Sequence, residues 1–356
     1  MTLQSGVIPN AMQTMEVAPP CSDVLEASIS AEPSVEWSES LRRLAGGFFQ
    51  SPAVVAAALP PGAPLFVTVR RKGETVGLGV GVGQRCRLGV RALHVRMAAP
   101  PAAAASDRAE VLRALGSALL ARGAVELDVG SFGAAGLVPV PPGAESTTDR
   151  TEYLVVLRGR EDQLKGFGTT HRRHCRRGDR EGWTLRLASP AETESVLYRV
   201  QADAATRGAL RDNPFTVASM GAEALSALAA PGTPQGVACF VAEAGAQLLG
   251  AALVGWAGAG AFYLRGGSTP EGYAEHVGAW LHWSIMDALH AQGITTYNLG
   301  GTPALAAEPD HPQHGLYRFK LHFGAEPIPC RGFHWALRPR HLLLHRAARR
   351  VTGSAF

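Results

Sequence analysis

Lysine is almost missing from this chain. Of 34 basic side chains in 356 residues, Lys72, Lys165 and Lys320 are the lysines and the rest are arginines, so a position that keeps lysine stands out. Charge is sparse, at 18% of residues against 46% hydrophobic, which excludes a disordered or fibrous protein. Cysteine is scarce, odd in number and scattered (Cys21, Cys86, Cys175, Cys239, Cys330) with no C-x-x-C pair, which excludes a secreted disulfide framework and a zinc ribbon. A reducing, cytoplasmic setting is expected. There is no G-x-S-x-G, no H-E-x-x-H and no P-loop. His341 and His345 have i, i+4 spacing but lack a third ligand, so no metal site is expected. The N-terminus has no cationic segment before an apolar run, unlike a signal peptide. The charge-free stretch from Ala244 to Leu264 is long enough to span a bilayer. It carries five glycines, however, and Gly258-Ala259-Gly260 divides it into two short runs that read as a buried β-hairpin.

The length suits two domains of similar size, each able to bury its own core. Charge is unevenly spread: residues 1–40 hold six acids and no base, and after Glu326 come six arginines and no acid. The spacing predicts a disordered leader over 1–36, domains over 41–150 and 151–338, and a basic tail over 339–356. Such a tail suits an anionic partner or membrane surface, or is simply a solvated face.

From Leu65 the order is strand (Leu65–Arg71), a turn at Lys72-Gly73-Glu74, strand (Thr75–Gly83) and strand (Leu88–Met97). A helix follows, capped by Asp107, with apolar residues Val111, Leu112, Leu115, Leu119 and Leu120, stopped by Gly123 before the strand Val125–Val129. The second half repeats this order: strands Val237–Ala242, Leu248–Trp256 and Ala261–Leu264, a helix from about Glu275 to Ala291, Gly293, and the strand Thr295–Leu299. A constant offset of 170 pairs Ala118 with Ala288, Leu119 with Leu289, Gly123 with Gly293 and Gly130 with Gly300. The repeat predicts a duplicated α/β domain with mixed sheets. Between the halves lie a strand (Glu152–Leu157), a basic helix (about Glu161 to Glu181), a strand from Trp183 and helices near Ala191–Arg207 and Ala218–Leu228.

The densest stretch is Tyr297-Asn298-Leu299-Gly300-Gly301 followed, after a loop, by Gly315-Leu316-Tyr317-Arg318-Phe319-Lys320-Leu321-His322-Phe323-Gly324. Here the chain resembles the FemABX family, aminoacyl-tRNA-dependent peptidyltransferases built from two GNAT-like domains, whose sequences show Y-D-x-G-G and then G-L-Y-x-F-K-x-x-F-G. Ala205-Thr206-Arg207-Gly208, the basic segment Thr170–Gly182 and Phe262-Tyr263-Leu264 with Gly266-Gly267 match further family motifs. Two departures stand out: Asn298 replaces the usual Asp, and the family's long helical arm is missing. The resemblance, over about residues 60–338, implies an α/β fold of two tandem GNAT-like acyltransferase domains. It also extends to FemAB-like N-acyltransferases in general.

Lys320 lies among aromatics beyond a Gly-Gly loop, where a cation can hold a phosphate or stabilise the oxyanion of acyl transfer. The alternative reading is a surface lysine on an amphipathic helix with Tyr317, Phe319 and Phe323 packed in the core. Lys320 and Phe319 are the catalytic candidates. The resemblance places Arg207 and Tyr263 near the acceptor site, the alternatives being an exposed helix-end arginine and a half-buried strand tyrosine, and Tyr317, Arg318 and Asn298 are further substrate-binding candidates. Arg172, Arg173, Arg176 and Arg177 form a basic helix face suited to tRNA or nucleotide phosphate, or to internal ion pairs. The implied activity is amide formation from aminoacyl-tRNA, as co-substrate without a tightly bound cofactor, onto an amine of a cell-wall precursor or peptide-like metabolite. Two alternatives stand beside it. One is an acyl-CoA-dependent N-acyltransferase, although only Arg265-Gly266-Gly267 occupies the pyrophosphate-turn position. The other is a non-catalytic module for an anionic ligand.

Overall fold

The computed structural model describes residues 24–57, 59, 62–88, 90–133, 136–209 and 233–352. Its frame is one mixed sheet of twelve strands, in the order β1-β2-β3-β4-β5-β12-β6-β11-β10-β9-β8-β7. The first half contributes β1 (Glu26–Ser30), β2 (Ala63–Arg71), β3 (Glu74–Leu88), β4 (Val90–Met97) and β5 (Ala124–Val129). The second contributes β7 (Thr184–Leu187), β8 (Gln235–Ala244), β9 (Gln247–Ala257), β10 (Gly260–Ser268) and β11 (Thr296–Pro303). In each half four antiparallel strands are followed by a helical crossover to a parallel fifth, β4 to β5 and β10 to β11. The crossovers are α3 (Arg108–Ala121) in the first half, and α7 (Pro270–Ala274) with α8 (Val277–His290) in the second. Gly123 at φ +85° and Gly293 at φ +80° end the long helices in the left-handed conformation that glycine tolerates.

The two remaining strands change places. β6 (Ala144–Val156) follows β5 in the chain yet pairs with β11, whereas β12 (Glu326–Ala336) follows β11 and pairs with β5. β6 and β12 also pair with each other along ten positions, from Glu326 opposite Leu154 to Trp335 opposite Ala144. This exchange turns two half-sheets into one, and the division expected at residue 150 falls inside β6.

Local sequence explains the packing. The glycines of β3 supply space rather than contacts: a Cβ on Gly77 would stand 2.7 Å from Val111 of α3, and one on Gly79 2.6 Å from Met97. The core beneath α8 is built from Trp280, Leu281, Trp283, Ile285 and Met286, packed on Phe240, Val254 and Tyr297. A second cluster joins Trp37, Phe48 and Phe49 to Val200, Val237, Leu253 and Phe262, tying the N-terminal helices to the second half.

Several expectations need correction. The expected leader is structured from residue 24: Glu26–Ser30 pair along β2 and bury Ile29, the partner strand rather than local periodicity making them a strand, and α1 (Trp37–Arg43), just after the expected leader, buries Trp37 and Leu41. The remainder of the expected leader lies outside the described residues, as does the helix expected at Ala218–Leu228. The long basic helix is two, α4 (Arg160–Lys165) and α5 (Thr169–Arg180), parted by Gly166-Phe167-Gly168, whose phenylalanine is buried and whose second glycine donates to His322 O at 2.8 Å. Asp107 does not cap α3; its carboxylate accepts from Arg71 Nη1 at 3.0 Å. The basic tail is a helix, α10 (Pro339–Thr352), anchored by Leu342.

Candidate active site

The site lies where the strand exchange meets the opening between β10 and β11. These parallel strands pair only from Gly260–Phe262 to Thr296–Asn298. Just beyond, the pairing of β11 with β6 shifts register between Asn298 and Gly301, and Gly300 takes φ +73°. This bulge re-aims the backbone, a frequent device beside functional sites. The chain then loops back through α9 (His314–Leu321), which buries Lys320 while the rest of its turn stays at least partly accessible.

Lys320 is 5% exposed, and its Nζ donates to Gly301 O at 3.0 Å and stands 5.4 Å from the centroid of the Tyr153 ring. Burial, aided by the Arg150 charge and opposed by Glu152, pushes its pKa down from 10.5 to about 7. Glu152 is fully buried on β6. Its Oε2 accepts from Asn298 Nδ2 at 2.7 Å and from the Gly133 N–H at 3.0 Å, and its Oε1 faces Arg150 Nη2 at 3.3 Å. Burial raises the Glu152 pKa, with Arg150 and the two donors acting against the rise. Asn298 is thus held at both ends, since its Oδ1 accepts from Gly300 N–H at 2.8 Å. Arg150 stacks over Phe132 at 4.3 Å, and Tyr153 shares a 2.8 Å hydrogen bond with Thr302.

Behind this cluster stands an aromatic and imidazole wall. His282 of α8 shares a 3.0 Å hydrogen bond with Tyr297 OH and contacts Tyr263 edge-on at 4.9 Å between ring centroids. His171, in the first turn of α5, donates Nε2–H to Phe319 O at 3.0 Å and packs on Phe319 and Phe323. Burial holds both imidazoles neutral, with pKa values of about 3 for His282 and about 4 for His171. Charge in the inner site is thus left to Lys320, Arg150 and Glu152.

Lys320 and Asn298 come together, joined by Tyr317, whose ring meets Tyr153 edge-on at 6.1 Å. Phe319 turns away from Lys320: its ring lies against His171 and over Gly278, where a Cβ would stand 3.3 Å from it. It supports α9 rather than lining the Lys320 pocket. Arg318 is exposed on the outer side of α9, and Tyr263 is half-buried behind His282. Arg207 falls in the last turn of α6 (Pro190–Ala209), which packs along β10. On α5, Arg173 and Arg176 are exposed and Arg172 is half-buried, whereas Arg177 is paired with Glu181 and Glu275. Sequence reading missed Arg150, Glu152, Tyr153, Gly133 and Thr302. An acid opening an otherwise apolar run, Glu152-Tyr153-Leu154-Val155-Val156, was the available signal.

The helix starts that follow β4 and β10 are already occupied. At α7 the Thr269 Oγ1 accepts from Gly272 N–H at 3.1 Å, with Pro270 and Glu271 in the first turn. At α3, Asp107 and Glu110 both pair with Arg71. Acidic residues there oppose a phosphate rather than attract one.

Residues 166–320 match the acetyltransferase (GNAT) domain family. No curated protein matches the chain by sequence. Among solved structures, FemX aligns over 88% of this chain and 93% of its own, at 13% identity and a TM-score of 0.60. The L-PGS of Bacillus licheniformis aligns over 90% and 98%, at 13% identity and a TM-score of 0.48. A tandem GNAT protein from the clavulanic acid biosynthesis pathway aligns over 87% and 97%, at 15% identity and a TM-score of 0.45. The chain thus has the FemAB-like fold of two tandem GNAT domains that it shares with FemX, and its match to the acetyltransferase domain ends on Lys320.

Proposed function

We propose that this protein forms an amide by moving an aminoacyl group from aminoacyl-tRNA to an amine of a cell-wall precursor or peptide-like metabolite. The observation that carries the reading is the buried Lys320 ammonium, held at the bulge of β11 and tuned to about pH 7. The acceptor nitrogen attacks the ester carbonyl, the carbonyl oxygen takes up negative charge, and the C–O bond to the ribose breaks as the amide forms. The proton lost by the acceptor ends on the departing hydroxyl. A preorganised cation in a dry site stabilises the oxyanion without reorganising, which is the protein's main contribution to such a reaction.

Two features favour tRNA as donor. The exposed arginines of α5 border α9, to which His171 ties their helix, so a polyanion has a landing face beside the reacting group. The helix starts where a GNAT protein would cradle a pyrophosphate carry acids instead. The match to the acetyltransferase domain family supports the second reading, an acyl-CoA donor on the same site. Incubation with charged tRNAs or acyl-CoAs and candidate amines, followed by product mass, separates them. Amide formation abolished by RNase is expected. Transfer that survives RNase and requires acyl-CoA selects the second reading, and ligand binding without turnover rejects both.

A further inference from the structure

We propose that α10 is a docking ridge for an anionic lipid surface. The helix is fixed from below: Leu342 is 1% exposed against Ala92, Val125 and Ala336, and Arg346 reaches Glu126 and His334 on the sheet. Its opposite side carries Arg340, Leu343, Leu344 and Ala347, all exposed, at the i, i+3, i+4, i+7 spacing of one helix stripe. Leu343 and Leu344 are 64% and 61% exposed, an adjacent pair of leucines turned to solvent.

Charge selects the partner. No acid follows Glu326, and six arginines do, four of them from Arg340 onward. At the start of α10 an open groove of about 560 Å³ is lined by Leu120, Arg338, Pro339, Arg340 and His341, an apolar floor rimmed by cations. Nucleic acid would use the arginines but gain nothing from two exposed leucines. A bilayer with anionic headgroups uses both, the leucines entering the headgroup boundary while the arginines remain among the phosphates. Among the described residues no helix is long and apolar enough to cross a membrane, so the contact is one of lying on the surface.

The test is flotation of the full chain with phosphatidylglycerol-containing vesicles and with pure phosphatidylcholine vesicles, at low and high salt. Association with the anionic vesicles alone, weakened by salt, is expected. Leu343→Ser with Leu344→Ser should cut partitioning at least about tenfold, and Arg340→Gln about fivefold, with the melting temperature unchanged because these side chains are exposed. No association at low salt, or association that the leucine variant leaves intact, overturns the proposal. So does tRNA binding lost in Arg340→Gln but kept in the leucine variant, which would make α10 a nucleic-acid contact. A concentration-dependent dimer lost in the leucine variant would assign the stripe to a second copy of the chain.

Discussion

Replacing Lys320 by methionine should make the protein more stable and nearly inactive. An unfolded chain keeps a lysine proton up to about pH 10.5, whereas the folded chain releases it at about 7. Between these values the unfolded state binds more protons, so stability rises with pH across that window and is lowest below about 7. At about 1.4 kcal/mol per pH unit, holding the ammonium in the fold costs up to about 5 kcal/mol at acidic to neutral pH. Lys320→Met removes this cost and keeps the side chain's volume, while Gly301 O loses its donor, worth about 1 kcal/mol. Glu152 remains paired through Arg150, Asn298 and Gly133. A net gain of about 1–4 kcal/mol, as found when buried charges yield to apolar isosteres, is expected. Thermal melts of both proteins from pH 6 to pH 10 read this directly: the variant's advantage should shrink as pH rises. A variant that melts lower, or an advantage indifferent to pH, would refute the reasoning. Turnover should fall by roughly 10² to 10³. Lys320→Arg adds the geometric half of the argument. The ammonium sits within 3.7 Å of a Cβ position on Gly300, and a planar guanidinium fork cannot reproduce this compact fit. Full activity in Lys320→Arg would remove the catalytic assignment while leaving the fold intact.

Three further outcomes follow from the same geometry. Glu152→Gln sets an amide N–H against Arg150 or against the Asn298 and Gly133 donors, so it should destabilise by about 1–3 kcal/mol. It should also move the alkaline fall of activity below the wild-type value, because Glu152 raises the Lys320 pKa; an unshifted pH profile would argue that the two charges do not communicate. Acid should weaken the fold between about pH 6.5 and 4, since His282, His171 and His174 stay neutral in the fold, at about 3, 4 and 4, while the unfolded chain takes up their protons. Equal urea midpoints at pH 7.5 and pH 4.5 would contradict this. Gly300→Ala, at φ +73°, should cost about 1–2 kcal/mol and disturb the bulge, whereas Gly315→Ala, with open space around it, should be neutral or slightly stabilising.

How much of this was legible depended on how locally each feature is encoded. The hairpin of β9 and β10, the helix-ending Gly123 and Gly293, and the parallel strand after each helix are written in short-range periodicity and φ-specific glycines, and the offset of 170 carried them from one half to the other. β1 and β12 are edge-of-pattern segments with prolines or few apolar residues, and only their partners make them strands. Lys320, Asn298 and the Gly-Gly bulge were legible because rare chemistry is concentrated there. Arg150 and Glu152 were not: nothing within the sequence neighbourhood of β6 tells that it leaves its own half and pairs with β11. Phe319, the other catalytic candidate, follows Arg318 and precedes Lys320, but successive helix positions point about 100° apart, and its ring faces α5 and α8 instead.

The strand exchange also explains the asparagine at 298. Its Nδ2 donates to a fully buried carboxylate 2.7 Å away, and its Oδ1 accepts from Gly300 N–H. An aspartate there would keep the second bond but set two carboxylates in contact, forcing one to hold a proton. With Glu152 in place, only the amide satisfies both neighbours while remaining neutral. The carboxylate of the site is thus supplied by β6 and the amide by β11. Lys320, Asn298 and Gly301 come from the second half; Gly133, Arg150 and Glu152 come from the first half and its exchanged strand. The segment matching the acetyltransferase domain, residues 166–320, contains Lys320 and Asn298 but not the acid Glu152, nor Arg150 and Gly133 that hold it. A single GNAT unit cut at those limits would leave Asn298 without its acceptor and β11 without its neighbour β6. The functional unit is the pair of halves joined through β6 and β12.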